Sequence, residues 1–543
     1  MTSQTRPFLE SGFQPANLVE VLRWRAINQP DRLAYTFLTD VDSEEARLTY
    51  QQLDERSRAI AAWLQSVSEP GERALILYPP GLDYLATFFG CLYAGVVAVP
   101  VYPPRKNRNL ERVLAIAESA WPTVLLTTGP TFTAVESFCS EHEILKRVRC
   151  VDTGSLGNET KDDWREPVVD ESTLAFLQYT SGSTGSPKGV MLSHGNLLHN
   201  STLLRQAFEY DSNSHCVSWL PIYHDMGLIG GVLQPLFGGY PCTLMAPASF
   251  LRSPVSWLQA ISRHKGVISG GPNFAYQLCV ERITPEERAG LDLSGWSVAF
   301  NGAEPIHHET LKQFSSTFAA QGFRREAFYS CYGLAESTLI VSGGQRAVAP
   351  VIKTVAAKAL ERKQWLEAPN GDGRALVGCG SVLPGQRVEL VNPDSLARCG
   401  ANEVGEIWIS GRSVGAGYWN SPEKTKEIFN AHLSDTGEGP FLRTGDLGVL
   451  QDGELFVVGR LKDLIIIRGL NHYPQDIEFT VQECSPALLP TCGAAFSVEA
   501  GGEERLVVVQ ELARRSEMDP DTLIEVIRAE VAEKHQLQVY AVV

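Results

Sequence analysis

Short apolar runs alternate with helical patterns along most of the chain. Thr49 followed three residues later by Gln52 is a capping-box signal, and the helix it opens carries Leu53, Ala61 and Leu64 where one face can be buried. An apolar run at 74–78 reads as a strand closed by Pro79 and Pro80; a helix over about 83–94 then leads into a second run at 96–101, ended by Pro103 and Pro104, which makes a βαβ unit. The rhythm continues through runs at 124–127, 174–179, 217–220, 243–245 and 298–300. Such alternation predicts mainly parallel sheets with helices on both faces, whose ligands lie beyond the carboxyl ends of the strands. From about 374 to 459 the pattern changes to short strands and turns, with Asp452-Gly453 as a hairpin signal. A smaller mixed region follows, with an apolar run at 464–467, a strand at 506–510 and a helix over about 520–534. No internal repeat or low-complexity segment interrupts this order.

Composition narrows the reading. At 543 residues, 44% hydrophobic and 20% charged, the chain exceeds what one core usually serves, so at least two packed units are expected. The formal net charge is -16 and no run of five or six Lys or Arg occurs, which argues against nucleic acid as a partner. Eleven cysteines are scattered without a C-x-x-C pair, so neither a disulfide framework nor a zinc site is suggested, and free thiols in a reducing cytosol are expected. Residues 1–20 lack the build of a signal peptide, and no window of about 18 apolar residues exists to span a bilayer; a cytoplasmic address follows as the expectation.

The stretch 174–200 is the richest in candidate chemistry. An apolar run enters Thr180-Ser181-Gly182-Ser183-Thr184-Gly185, then Ser186-Pro187-Lys188-Gly189. Glycines let backbone approach an anion, hydroxyls donate to phosphate oxygens and a lysine neutralises charge. Composition alone leaves a solvated turn open, and the spacing is not that of the Walker loop. A second segment, residues 219–239, joins His224-Asp225 to the apolar run Met226, Gly227, Leu228, Ile229, Gly230, Gly231, Val232 and Leu233. By itself such a run packs in a core, and a His-Asp pair without a third ligand nearby suits hydrogen bonding to an anion better than metal binding.

The string from Tyr179 to Val190 resembles the pyrophosphate-binding motif of the adenylate-forming superfamily, and the remaining motifs follow in order. Gly302, Ala303 and Glu304 resemble the segment lying against adenine; Tyr332 and Gly333 resemble the aromatic motif beside the base. Glu336 in the same stretch matches the carboxylate that reaches Mg2+ on the triphosphate, a hard cation needing only one or two protein carboxylates. Asp446 matches the aspartate that accepts the ribose hydroxyls, Arg460 the arginine that contacts ribose and phosphate, and Lys462 the hinge residue. The resemblance implies that His224 sits near the reacting carboxylate, that Lys188 grips pyrophosphate, and that Met226, Gly227, Ile229, Gly230 and Gly231 line an acyl channel. It also implies an α/β fold: a large N-terminal domain over 1–461, built of two doubly wound subdomains and a small β-barrel-like one at about 374–459, followed by a small α+β domain over 462–543. Taken residue by residue without the family, each of these positions reads as a turn, a solvated charge or core.

Two features point to the fatty acyl-AMP ligases within that superfamily. The wording of "SWLPIYHDMGLIGGVLQPLFGG" is closer to theirs than to that of amino-acid-activating domains, and the stretch at about 345–370 resembles the insertion separating them from acyl-CoA ligases. An aspartate near Asp225 also serves amino-acid-activating relatives, where it holds the substrate amine. The implied activity consumes ATP with Mg2+ to convert a medium- or long-chain fatty acid to its acyl-adenylate. The acyl group then passes to the phosphopantetheine thiol of an acyl carrier protein in polyketide, nonribosomal peptide or lipid biosynthesis. A coenzyme A ligase, an amino-acid-activating domain and a catalytically impaired adenylate-binding module are the competing expectations. The family's lysine near the end of the small domain is not reached before Val543. The chain is therefore expected to be truncated and to make adenylate poorly, because an electrostatic contact that strengthens in the transition state is absent.

Overall fold

The computed structural model describes residues 12–40, 43–103, 110–180, 187–368, 373–467, 470–500, 503–513 and 519–543. Two large sheets carry the architecture. The first has six strands in the order Arg149–Asp152, Val124–Thr127, Arg73–Leu77, Val97–Val101, Leu174–Tyr179 and Gly189–Ser193; all neighbours are parallel except the last pair. Arg73–Leu77 and Val97–Val101 are joined by the helix Leu82–Ala94, as the apolar rhythm predicts. That helix ends on Gly95, whose φ of 71° is the left-handed stop a glycine makes without strain. The predicted capping box also forms: Thr49 and Gln52 bond reciprocally at the start of the helix Tyr50–Val67.

The second sheet has nine strands. Six of them run parallel side by side, in the order Phe328–Gly333, Trp296–Asn301, Val267–Gly271, His215–Ser218, Cys242–Met245 and Leu33–Asp40. Antiparallel strands flank them: Ile340–Gly343 and Ser381–Val382 on one side, Ser43–Thr49 on the other. The strands 174–179, 296–301 and 328–333 bring their carboxyl-terminal ends to one crevice, where doubly wound folds bind ligands. One large hydrophobic core underlies both sheets, anchored by fully buried Trp257, Trp296, Tyr276 and Phe88.

The region after 374 holds a four-stranded antiparallel sheet, Gln386–Val391, Gly405–Gly411, Leu442–Gln451 and Glu454–Arg460. Its last hairpin turns at Asp452 and Gly453, both with positive φ, 53° and 82°. The stretch proposed as an insertion forms a short strand, Ile352–Val355, paired with Arg374–Val377, and a helical turn, Ala357–Leu360; residues 369 and 370 of it lie outside the described residues. Beyond residue 464 a separate cluster of buried residues, among them Ile477, Leu506, Leu523 and Val531, holds the helices Pro474–Glu483 and Pro520–His535 on a three-stranded sheet. Among the described residues no helix is long and apolar enough to cross a membrane.

Candidate functional site

A cavity of about 1570 Å³ opens at the carboxyl ends of the parallel strands. It gathers residues from almost every motif singled out in the sequence: Thr180, Lys188, His224, Gly302, Ala303, Tyr332, Gly333, Glu336, Asp446, Arg460 and Lys462. Ser181, Gly182, Ser183, Thr184 and Gly185 lie outside the described residues, which resume at Pro187. The backbone on either side of them is nevertheless fixed. Thr180 N–H donates to the Lys188 carbonyl at 3.1 Å, and Arg112 Nη2 donates to the Thr180 carbonyl at 2.7 Å.

One wall is electrostatic. Asp446 is buried and held from two sides, accepting from Tyr332 Oη at 2.8 Å and from Arg460 Nε at 3.0 Å. Burial raises its carboxyl above the usual range, and the Arg460 charge and Tyr332 hydroxyl pull it back. The strand that carries Asp446 is braced by Glu406, which accepts from Arg443 Nη2 at 2.8 Å and from the Gly445 N–H at 3.1 Å. Glu336 sits across the cavity with its carboxyl raised by burial and accepts from Tyr418 Oη at 2.8 Å. Lys188 Nζ lies 5.0 Å from the centroid of the same Tyr418 ring. His224 Nδ1 is 2.6 Å from Asp225 Oδ1, and this neighbouring charge raises the imidazole above its ordinary value.

The opposite arm is apolar. Leu204, Phe208, Met226, Phe300, Leu339 and Ile340 line it, with Gly230 keeping the wall flat. Residues Met226–Leu233 form a π-helix, an uncommon element that recurs at functional sites, and Asp225 caps it by accepting the Met226 N–H at 2.6 Å. Only one of its faces meets the cavity. Met226 and Gly230, four residues apart, are on that face, whereas Gly227, Ile229 and Gly231 pack away from it. A Cβ on Gly227 would fall 2.1 Å from the Pro221 carbonyl oxygen, so this glycine serves close backbone packing. Glu304 is likewise off the cavity wall; its Oε1 accepts the Phe274 N–H at 2.6 Å, at the N-terminus of the helix Asn273–Arg282.

Between the two arms the backbone turns sharply. Thr338 is fully buried with φ 67° and ψ -66°, and the Leu339 N–H donates to the Ser337 carbonyl at 2.8 Å, which defines a γ-turn. The turn folds Leu339 back so that a Cβ on Gly333 would sit 1.7 Å from the Leu339 carbonyl oxygen; only glycine fits there. Sequence reasoning missed Arg112, Tyr418, Phe208 and Phe300. Tyr418 lies in the glycine-rich "GAGYWN" stretch, which offers only a turn signal, and the two phenylalanines read as core.

Among the described residues no group of three or more His, Cys, Asp or Glu is placed to hold a metal ion. A magnesium ion does not require one, since it takes one or two protein carboxylates and completes its shell with phosphate and water. Glu336 fits that demand: Tyr418 occupies one of its oxygens, and the residue lines the cavity.

Comparison with known proteins agrees with this geometry. Residues 22–419 match the family described as AMP-binding enzyme, and residues 462–543 match the Disco-interacting protein 2-like AMP domain. The medium-chain-fatty-acid acyl-carrier-protein ligase JamA of Moorena producens is 46% identical over 97% of this chain and 91% of its own. The long-chain-fatty-acid AMP ligase FadD32 of Mycolicibacterium smegmatis is 36% identical over 98% of this chain and 92% of its own. A solved fatty acyl-adenylate ligase from Legionella pneumophila, in complex with acyl adenylate and pyrophosphate, superposes with a TM-score of 0.81. It is 41% identical and covers 98% of this chain and 93% of its own.

Proposed function

Because the chain belongs to the AMP-binding enzyme family, we propose that it activates a medium- or long-chain fatty acid with ATP as the acyl-adenylate and hands the acyl group to the phosphopantetheine thiol of an acyl carrier protein. The observation that carries this reading is a single cavity with a charged arm, Lys188, Glu336, Asp446 and Arg460, and an apolar arm, Leu204, Phe208 and Phe300, meeting near His224. A fatty acid with its carboxylate at His224 and its tail in the apolar arm would face a nucleotide seated in the charged one.

In this reading a carboxylate oxygen of the acid attacks the α-phosphorus of ATP. The bond to the bridging oxygen of the β-phosphate breaks, and pyrophosphate leaves. Catalysis is mainly positioning and charge stabilisation. Asp446 accepts the ribose hydroxyls, Arg460 neutralises phosphate, Lys188 and the 180–185 loop hold the departing pyrophosphate, and His224, beside the Asp225 carboxylate, orients the carboxylate of the acid. Glu336 would hold Mg2+, which when bound supplies positive charge to the phosphate oxygens. In the second half-reaction the carrier thiolate attacks the acyl carbon and AMP leaves, after the small domain over 462–543 turns about Lys462.

Transfer to a carrier protein rather than coenzyme A is supported by contacts of the 345–370 stretch. Asn471 donates twice to the Glu361 carbonyl, from Nδ2 at 2.8 Å and from its backbone at 3.2 Å, and Tyr473 Oη donates to the Leu360 carbonyl at 3.4 Å. These bonds tie the residues just past the hinge to the insertion and must break before the small domain turns, a cost that docking of a carrier protein can offset and free coenzyme A, without such a docking surface, cannot.

The test is mass spectrometry of products from Mg2+, ATP, coenzyme A, a phosphopantetheinylated carrier protein and a mixture of fatty acids. Acyl-AMP and acyl-carrier without acyl-CoA are expected; abundant acyl-CoA would replace this reading with a coenzyme A ligase.

A further inference from the structure

Tyr418 stands between the two groups of opposite charge at the phosphate end of the cavity. Its hydroxyl donates to Glu336 Oε1 at 2.8 Å, and Lys188 Nζ lies over its ring at 5.0 Å from the centroid. The tyrosine has little freedom. Its segment extends the edge of the six-stranded sheet: Ala416 N–H donates to the Met191 carbonyl at 3.0 Å, Met191 N–H to Gly417 at 2.9 Å and Trp419 N–H to Gly189 at 2.8 Å. Gly415 N–H donates to the Glu336 carbonyl itself at 2.9 Å. Tyr418 N–H donates to Thr425 Oγ1 at 2.9 Å, and the ring packs edge-on against Phe429 at 5.0 Å. The same short segment is therefore bonded to the backbone beside Lys188 and to the backbone of Glu336.

Among the described residues neither Lys188 nor Glu336 forms an ion pair, although both line one cavity. Glu427 is a carboxylate whose charge Lys188 does reach, and Lys424 engages it at 2.6 Å. Opposite charges lining one cavity attract and would be expected to close on each other. Here a ring face takes the ammonium and a hydroxyl takes the carboxylate, so each charge is held by a neutral partner.

Resting on the reading that Lys188 grips pyrophosphate, we infer that Tyr418 is a positioning residue that keeps Lys188 and Glu336 from pairing and so holds the lysine open for the polyphosphate. The hydroxyl fixes the carboxylate and the ring fixes the ammonium.

The experiment is calorimetric binding of inorganic pyrophosphate to the full chain without divalent metal, so that no turnover is involved. Lys188→Ala is expected to weaken binding at least about tenfold. Tyr418→Leu is expected to weaken it about tenfold where Glu336 is present, and less than about twofold in the Glu336→Gln background, because no carboxylate is left for Lys188 to pair with. Tyr418→Phe, which keeps the ring and the packing against Phe429, is expected to lose about threefold, also erased by Glu336→Gln, and it stands in should the leucine variant not fold. A loss of equal size in both backgrounds, or no loss in either tyrosine variant, overturns the inference while Lys188→Ala still weakens binding. Unchanged binding in Lys188→Ala overturns the polyphosphate reading and this inference with it.

Discussion

The phenol of Tyr332 donates to Asp446 Oδ2 at 2.8 Å across the cavity, joining the end of one sheet to the antiparallel region that follows it. The carboxylate it reaches is buried, and burial raises its pKa. Tyr332→Phe removes a hydrogen bond to a charged acceptor, which is worth about 1.5–3 kcal/mol. The sign with pH follows from linkage: an acid whose folded pKa is raised carries its full penalty above that value and loses it as pH falls through it. Denaturant titrations should therefore show the variant less stable than wild type near about pH 7, with the deficit shrinking as pH falls towards the ordinary aspartate value of about 4. A deficit that is the same at both would mean that Asp446 does not titrate between them.

A pair of rings lines the apolar arm. Phe208 closes the helix His194–Phe208 and stacks on Phe300 with centroids 6.1 Å apart and planes 8° from parallel; Tyr329 meets Phe208 edge-on from behind at 4.9 Å. Leu204 lies one helical turn earlier on the same cavity wall, so the arm runs along the helix to its last residue. Truncating Phe208 to alanine should shift the preferred acid to longer chains. Each methylene newly accommodated is worth about 1–3 kcal/mol, enough to reorder rates about tenfold or more. Pyrophosphate release measured across a chain-length series checks it, and an unchanged ranking would place the end of the arm elsewhere. The variant should also lose stability, by up to about 3–5 kcal/mol for a phenylalanine deleted from a packed site.

Which parts of this were legible in the sequence depends on how far apart the contacting residues lie. The βαβ rhythm, the Thr49 capping box and the Asp452-Gly453 hairpin are local, and each formed where the pattern put it. The pairing of Asp446 with Arg460 is one step removed. A hairpin continued without interruption from that turn would set Asp446 opposite Gly459, but a register shift between Leu447 and Gly448 brings Arg460 opposite instead. A bulge of this kind moves side chains to the other face, and nothing in the strand's composition announces it. The bond from Tyr418 to Glu336 spans 82 residues and depends on a segment borrowed by the edge of a distant sheet. The π-helix was hidden differently: its glycines and aliphatic residues read equally as core, and only the turn geometry decides that Gly230, and not Gly227 or Gly231, meets the cavity.

His224 and Asp225 are adjacent in sequence, and their side chains are 2.6 Å apart. The Asp225 charge is the main cause raising His224. A raised folded-state pKa means the folded protein binds this proton more tightly. Its stabilising contribution is therefore full below the unfolded histidine value of about 6.5 and is lost as pH rises through the folded value. Asp225→Asn keeps an oxygen for the Met226 N–H and removes only the charge, so the π-helix cap survives. The His224 imidazole should then titrate at lower pH in NMR spectra, and adenylation should weaken at the alkaline end first. A midpoint that stays where it was would assign the shift to another cause.

Thr338 stores strain beside the site. A positive φ is costly for a β-branched residue, and such conformations persist only where the surroundings over-determine them, at about 1–3 kcal/mol. Here the surroundings are visible: Thr338 Oγ1 donates to the Ser413 carbonyl at 2.6 Å, the Leu339 N–H closes the γ-turn, and the Gly333 backbone leaves room for nothing else. Two substitutions separate the contributions. Thr338→Val keeps the branching and the strain but leaves a buried carbonyl short of its donor, which should cost about 1–3 kcal/mol. Thr338→Gly loses the same bond and relieves the strain, so the two changes offset and its stability should exceed that of the valine variant. If denaturant unfolding finds Thr338→Gly the weaker of the two, the turn is not strained. Since Glu336 lies two residues before Thr338 and Leu339 one after it, the glycine variant should also adenylate more slowly than its stability alone would suggest. Release of the turn would loosen the carboxylate and the apolar wall together.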